Sequence, residues 1–122
     1  MDLKILWMYN DLMDLYGDKG NIQVLKTRAE KRNINVTVKT CSLNEEVDIN
    51  DYDLFFLGGG ADYEQNLIFE DLLKRKESIV NALNHSTTFL LICGGYQLFG
   101  KYYLDQDGNK IDGLGIFDYY TE

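Results

Sequence analysis

An α/β fold with a mainly parallel sheet is predicted by three features of this chain. Short apolar runs (Leu3–Tyr9, Asp53–Leu57 and Thr88–Cys93) are separated by segments with helical apolar spacing, the pattern of strands joined by crossover helices. Two of those runs end in glycine-rich turns, Leu57-Gly58-Gly59-Gly60 and Ile92-Cys93-Gly94-Gly95. Ligand sites of open parallel sheets lie beyond the carboxyl ends of the strands, so both turns fall on the expected functional side.

Each element has its own local reason. Leu3 to Tyr9 is almost continuously apolar, as suits a strand buried on both faces. Asn10 to Lys19 is polar and ends in Tyr16-Gly17-Asp18-Lys19-Gly20-Asn21, a loop that leads into a helix. From Asn21 to Lys31, Ile22, Leu25 and Ala29 recur at helical spacing, with charges opposite. Asn33-Ile34-Asn35 ends that helix, and Val36 to Cys41 alternates as a second strand before the acidic loop Ser42 to Asp51. Asp53 to Leu57 is the third strand. Asp62 to Leu83 places Leu67, Ile68, Leu72, Ile79 and Leu83 on one face of a long helix, with Lys74 as the point where a break would fall. Thr88 to Cys93 is the fourth strand and turns at once into Tyr96-Gln97-Leu98-Phe99, the start of another helix. Beyond Gly100, Lys101–Leu104 and Ile116–Tyr120 flank Asp107-Gly108, a tight-turn dipeptide, so a β-hairpin extension is expected.

Composition narrows the function. The 122 residues make one domain, 1–122, large enough for a real core, and contain no Pro. Lys and Arg total 12 against 20 Asp and Glu, a net charge of −8 that repels phosphate backbones and argues against nucleic-acid binding. Cys41 and Cys93 are too few for a disulfide framework, and the short apolar start, soon followed by Asp11 and Asp14, is not a secretion signal. No apolar stretch reaches membrane-spanning length, so no membrane insertion is expected and the chain reads as cytoplasmic, with reduced thiols. No metal site is expected. Cys and His are too few for zinc, and the calcium-like start Asp105-Gln106-Asp107-Gly108-Asn109 has Lys110 at the glycine position and Ile116 at the position of the bidentate Glu. Gly17-Asp18-Lys19-Gly20 fits neither a dinucleotide fingerprint nor a P-loop.

The chemistry points to Cys93. A strand–sharp turn–helix unit lifts the residue at its apex out of the sheet, and the unpaired N–H groups at the helix start suit a nucleophilic sulfur and an adjacent oxyanion. Taken alone, such a Cys is also compatible with a small side chain packed beside a tight turn. The glycine-rich Gly58–Gly60 turn, one βα unit upstream, favours the nucleophile.

Five motifs in order carry a family resemblance over essentially the whole chain. They are Tyr16–Asn21, Leu57–Gly60, Gly60-Ala61-Asp62-Tyr63-Glu64-Gln65, Ile92-Cys93-Gly94-Gly95-Tyr96-Gln97 and Gly113-Leu114-Gly115-Ile116-Phe117-Asp118-Tyr119-Tyr120-Thr121. The chain resembles the N-terminal half of a class I (triad) glutamine amidotransferase domain of the cobyric-acid-synthase-like branch. Within that branch it is most similar to glutaminase subunits that serve amidation of D-glutamate in lipid II, a step of peptidoglycan synthesis. The resemblance implies a three-layer, flavodoxin-like fold. It also implies attack by Cys93 on the side-chain amide of glutamine, and an oxyanion hole of backbone N–H groups from Gly94 and from Gly59 or Gly60. Gln97 becomes a contact for the glutamine substrate. The ammonia released would pass to a Mur-ligase-like synthetase subunit. ATP and Mg²⁺ are expected only in that partner, and no cofactor is expected in this chain. Corrinoid amidation is the near alternative.

The chain departs from the family pattern in one respect. A triad needs a His base and an acidic partner, which the resemblance assigns to the C-terminal half of the domain. The one His here, His85, precedes the fourth strand. Eight residues of strand, at about 3.3 Å each, put it roughly 25 Å from Cys93. It is expected to be an exposed loop residue. The 122 residues therefore read as half of an enzyme, with very slow amide hydrolysis on their own. A bare strand edge should promote self-association. The rival reading is a non-catalytic α/β binding or oligomerisation module.

Overall fold

The computed structural model describes residues 1–13, 18–105 and 107–121. In chain order the elements are β1 (Asp2–Met8), α1 (Asp18–Lys31), β2 (Asn35–Cys41), a 3-10 turn at Ile49–Asp51, β3 (Leu54–Leu57), α2 (Asp62–Leu83), β4 (Thr88–Leu91), α3 (Gly94–Phe99), β5 (Tyr102–Leu104) and β6 (Lys110–Asp112). The main sheet runs β2-β1-β3-β4, every pair parallel, and β5 and β6 form a separate antiparallel pair. This is the flavodoxin-like order, with the switch of direction between β1 and β3.

Alternation along the strands makes three layers. Ile5 and Trp7 of β1 and Phe56 of β3 point to one face, where Ile22 and Leu25 of α1 cover them, with Leu90 and Ile92 packed alongside. Leu6 and Met8 of β1, and Phe55 and Leu57 of β3, point to the other, against Ile68, Leu72 and Ile79 of α2 and Leu98 and Phe99 of α3. Phe55, Phe89 and Phe99 form an aromatic cluster, with Phe55 and Phe89 stacked at 4.5 Å. Phe55 and Phe99 are fully buried, each contributing about 2 kcal/mol of transfer free energy.

Three expectations need correction. The helix expected from Asn21 starts at Asp18, so Asp18–Gly20 belong to α1, while 16–17 of the Tyr16–Asn21 loop motif lie outside the described residues. α2 is continuous past Lys74, because Leu72 and Ile79 both anchor its buried face across that point. The hairpin partner of Tyr102–Leu104 is Lys110–Asp112, in place of Ile116–Tyr120. Asp105 closes the tighter turn: its side-chain oxygen accepts from the N–H groups of Asp107 (2.9 Å) and Asn109 (2.8 Å).

The segment after β6 then folds back on the end of α3. Leu114 N–H donates to the Leu98 carbonyl (2.7 Å), Ile116 N–H to that of Phe99 (3.1 Å) and Gly115 N–H to that of Gly100 (2.8 Å), satisfying acceptors that a helix end leaves open. It returns along β5, where Thr121 makes an isolated parallel bridge with Tyr103.

Candidate active site

β3 and β4 end side by side, and their turns are tied by backbone hydrogen bonds. Ile92 N–H donates to the Leu57 carbonyl (3.0 Å) and Gly95 N–H to the Gly58 carbonyl (3.1 Å). A Cβ at Gly95 would stand 2.5 Å from the Leu57 carbonyl oxygen, so only glycine lets the two turns approach this closely. Cys93 caps α3 at φ 53° and ψ −108°, a backbone conformation costly for any residue with a Cβ. The turn lifts its side chain out of the sheet: Cys93 is exposed, whereas Cys41, at the end of β2, is buried. Burial pushes the Cys41 thiol above its ordinary value, despite the opposing influence of Arg75.

The predicted site residues come together. Gly59, Gly60 and Gly94 are all buried directly beside Cys93's turn. Met13 is shared by two of them: its sulfur lies 2.6 Å from the Cβ position of Gly60, and its methyl 3.4 Å from that of Gly94. Met13 reaches there because the chain reverses sharply after β1, with the N–H groups of Leu12 (3.0 Å) and Met13 (2.8 Å) both donating to the Tyr9 carbonyl. Among the described residues, neither the Gly60 nor the Gly94 N–H donates to a backbone acceptor. Gln97 is half-buried one turn into α3, and its N–H donates to the Cys93 carbonyl (3.0 Å). His85 is exposed before β4 and Cys93 lies beyond its far end. The His85 ring nitrogen Nδ1 is engaged with the Asn81 carbonyl at 2.7 Å.

Two residues that sequence reasoning quoted but gave no role also stand here. Gln65, 4% exposed, presses its side-chain carbonyl against Gly94, and its Nε2 donates to the Tyr103 hydroxyl at 3.0 Å. Glu64 packs its Cβ near Gly60 and keeps one buried carboxylate oxygen without a hydrogen-bond partner among the described residues. Only their position at the start of a helix following a glycine turn could have pointed to them.

On the far side of β4 from β3, the described residues place no further strand. An apolar groove of about 440 Å³ runs there, lined by Phe89, Leu90, Leu91, Tyr96, Phe117 and Tyr119. Tyr96 and Tyr119 stack at 4.2 Å, and the Tyr119 hydroxyl donates to the Tyr96 carbonyl.

An exposed thiol at a strained strand–helix turn beside a second glycine-rich turn is an arrangement able to attack a carbonyl carbon. Comparison with known proteins shows what the chain as a whole resembles. The chain is 48% identical over 119 residues to the lipid II isoglutaminyl synthase (glutamine-hydrolyzing) subunit GatD of Streptococcus pneumoniae, covering 98% of this chain and 46% of that protein. It is 44% identical over 121 residues to the subunit of the same name from Staphylococcus aureus, covering 99% of this chain and 50% of that protein. A probable cobyric acid synthase of Methanopyrus kandleri is 38% identical over 60 residues, 43% of this chain and 12% of that one. The chain spans about half the length of the two GatD relatives. The CobB/CobQ-like glutamine amidotransferase domain matches residues 4–122, and the chain belongs to that family.

Proposed function

We propose that this chain is the nucleophile-bearing half of a glutaminase that supplies ammonia for amidation of D-glutamate in lipid II. The observation that carries the reading is Cys93: exposed, held at positive φ, and hydrogen-bonded through its turn to the Gly58–Gly60 loop. The Cys93 sulfur attacks the side-chain amide carbon of glutamine, giving a tetrahedral oxyanion. The N–H groups of Gly94 and of Gly59 or Gly60 hold that oxygen, each such donor contributing about 3 kcal/mol to the transition state. Collapse of the intermediate breaks the C–N bond, releases ammonia and leaves a thioester on Cys93, which water then hydrolyses to glutamate. Gln97 contacts the glutamine substrate.

The His base and its acidic partner belong, on this reading, to the second half of the domain, whose strands extend the sheet from β4 across the groove. These 122 residues alone should therefore release no more ammonia than a Cys93→Ala control. The acceptor side belongs to a Mur-ligase-like, MurT-type subunit that binds ATP and Mg²⁺, and the complex works in the cytoplasm. Identity to the GatD subunits over nearly the whole chain favours this assignment over corrinoid amidation, where likeness covers 43%. No described helix is long and apolar enough to cross a membrane.

The test is selective labelling. A glutamine-mimicking diazo-ketone followed by peptide mapping should modify Cys93 and spare Cys41, which is buried. Equal labelling of the two thiols, or preference for Cys41, would remove the nucleophile assignment.

A further inference from the structure

The α2 residue Gln65 stands where three elements meet. It lies in the first turn of α2 and is almost wholly buried. Its side-chain carbonyl oxygen is 2.3 Å, and its Cδ 2.8 Å, from the position a Cβ would take on Gly94. The amide therefore forms the wall against which the Gly94 backbone rests. Its other end is fixed, since Nε2 donates at 3.0 Å to the hydroxyl of Tyr103 on β5. Tyr103 is 2% exposed, and burial keeps its phenol above the ordinary range, hence neutral and able to accept. A planar carboxamide tethered at one end has one orientation to offer at the other. Burying it without that tether would cost about 1–3 kcal/mol, so the tether is worth keeping only if the orientation matters or the amide is well paired.

We propose that Gln65 is a positioning residue for the oxyanion hole: held by Tyr103, it sets the Gly94 peptide so that its N–H meets the developing oxyanion. The inference rests on the glutaminase reading and adds to it a control point on the β5–β6 hairpin. Gln65 touches no reacting atom in this scheme. It acts through Gly94, and Tyr103 acts through Gln65.

The experiment compares two electrophiles at Cys93 of the 122-residue chain. The glutamine-mimicking diazo-ketone alkylates the thiol with loss of N₂ while its glutamine-like ketone docks at the oxyanion donors, whereas iodoacetamide displaces iodide without docking there. The ratio of the two rates thus reports donor placement separately from thiol access or general loosening, which move both rates together. Gln65→Met keeps the volume and removes the tether. Tyr103→Phe keeps the ring in place and removes only the hydroxyl, which guards against a variant that does not fold.

A 1 Å misplacement of a catalytic group can cost about 100-fold, and a smaller tilt of the Gly94 peptide should lower the ratio by about tenfold in Gln65→Met. Tyr103→Phe should lower it in the same direction, and the double variant should match Gln65→Met, because both changes act through one hydrogen bond. A ratio within about twofold of wild type in either single variant overturns the proposal, as do losses that simply add in the double variant. If neither electrophile labels Cys93 of the wild-type chain in preference to Cys41, the nucleophile assignment on which the glutaminase reading rests fails and takes this inference with it.

Discussion

Cys93 carries a backbone conformation, φ 53° and ψ −108°, that is the mirror image of ordinary extended chain. A glycine would adopt it freely, whereas any L side chain is strained there by about 1–3 kcal/mol. Glycine also costs about 0.5–1 kcal/mol through the entropy of the unfolded chain, so the two effects leave a net gain. Cys93→Gly should therefore stabilise the domain by about 1 kcal/mol, and Cys93→Ala, which keeps the Cβ, should not. Urea unfolding of the three proteins decides it; a Cys93→Gly domain no more stable than wild type would mean that the turn stores no strain. This feature was readable in the sequence because it is local: Cys-Gly-Gly at the end of an apolar run dictates a tight turn wherever it occurs. Tyr9 and Gln65 were not readable in the same way. Tyr9 also has positive φ, and its hydroxyl donates to Asp71, 62 positions away, while Gln65 pairs with Tyr103, 38 positions away. Nothing in the neighbourhood of either residue announces its partner.

At the scale of elements, α2 is the spine that joins the site to the acidic loop packed against the middle of the helix. One and a half turns beyond Gln65, buried Asp71 accepts from the Tyr9 hydroxyl, from Arg75 Nε (2.8 Å) and from Asn44 N–H (3.1 Å). Arg75 Nη2 in turn donates to the carbonyls of Ser42 (3.2 Å) and Glu45 (2.6 Å), clasping the acidic loop onto the helix. Burial by itself would raise the Asp71 carboxyl, but the hydrogen bonds from Tyr9, Arg75 and Asn44 outweigh it and hold the group below its ordinary value. A folded-state value depressed in this way stabilises the fold above the ordinary carboxylate value of about 4, and that stability drains away as pH falls below it. Asp71→Ala leaves the partly buried Arg75, its side chain 12% exposed, without its ion-pair partner and should cost about 2–3 kcal/mol at pH 7. Denaturant unfolding at pH 7 and again near pH 3 should show the gap between variant and wild type closing at the lower pH. A gap independent of pH would mean that the carboxylate charge contributes nothing. The elements themselves were legible from apolar spacing, save the hairpin. There Ile116–Tyr120 looked like a strand by composition, but Asp105 closes a shorter turn and the apolar side chains Phe117 and Tyr119 are used instead to line the groove beside β4.

For the molecule as a whole, the decisive feature is the outer edge of β4. β4 pairs with β3 on one side, and among the described residues with nothing on the other. Next to that edge lie half-buried Phe89, Leu90 and Leu91 and, across the groove, Tyr96 and Phe117. A row of unpaired backbone donors and acceptors beside apolar side chains is a template for another strand, and β4 is short but carries no charged residue to deter one. The net charge of −8 opposes indiscriminate aggregation, yet it is spread over the surface and screened beyond about 8–10 Å at ordinary ionic strength, too diffuse to block a specific apolar contact. In the 122-residue chain studied alone, the simplest partner is a second copy, joined edge to edge about a two-fold axis so that each β4 pairs with the other and both grooves close together. The expected result is a light-scattering mass that rises toward that of a dimer with increasing protein concentration. A Leu90→Lys variant, which puts a charge in the middle of β4 beside the groove, should shift that equilibrium back to monomer. If the wild-type mass stays monomeric at every concentration, with a cooperative thermal transition, the β4 edge is closed by these residues in solution and is not a docking edge.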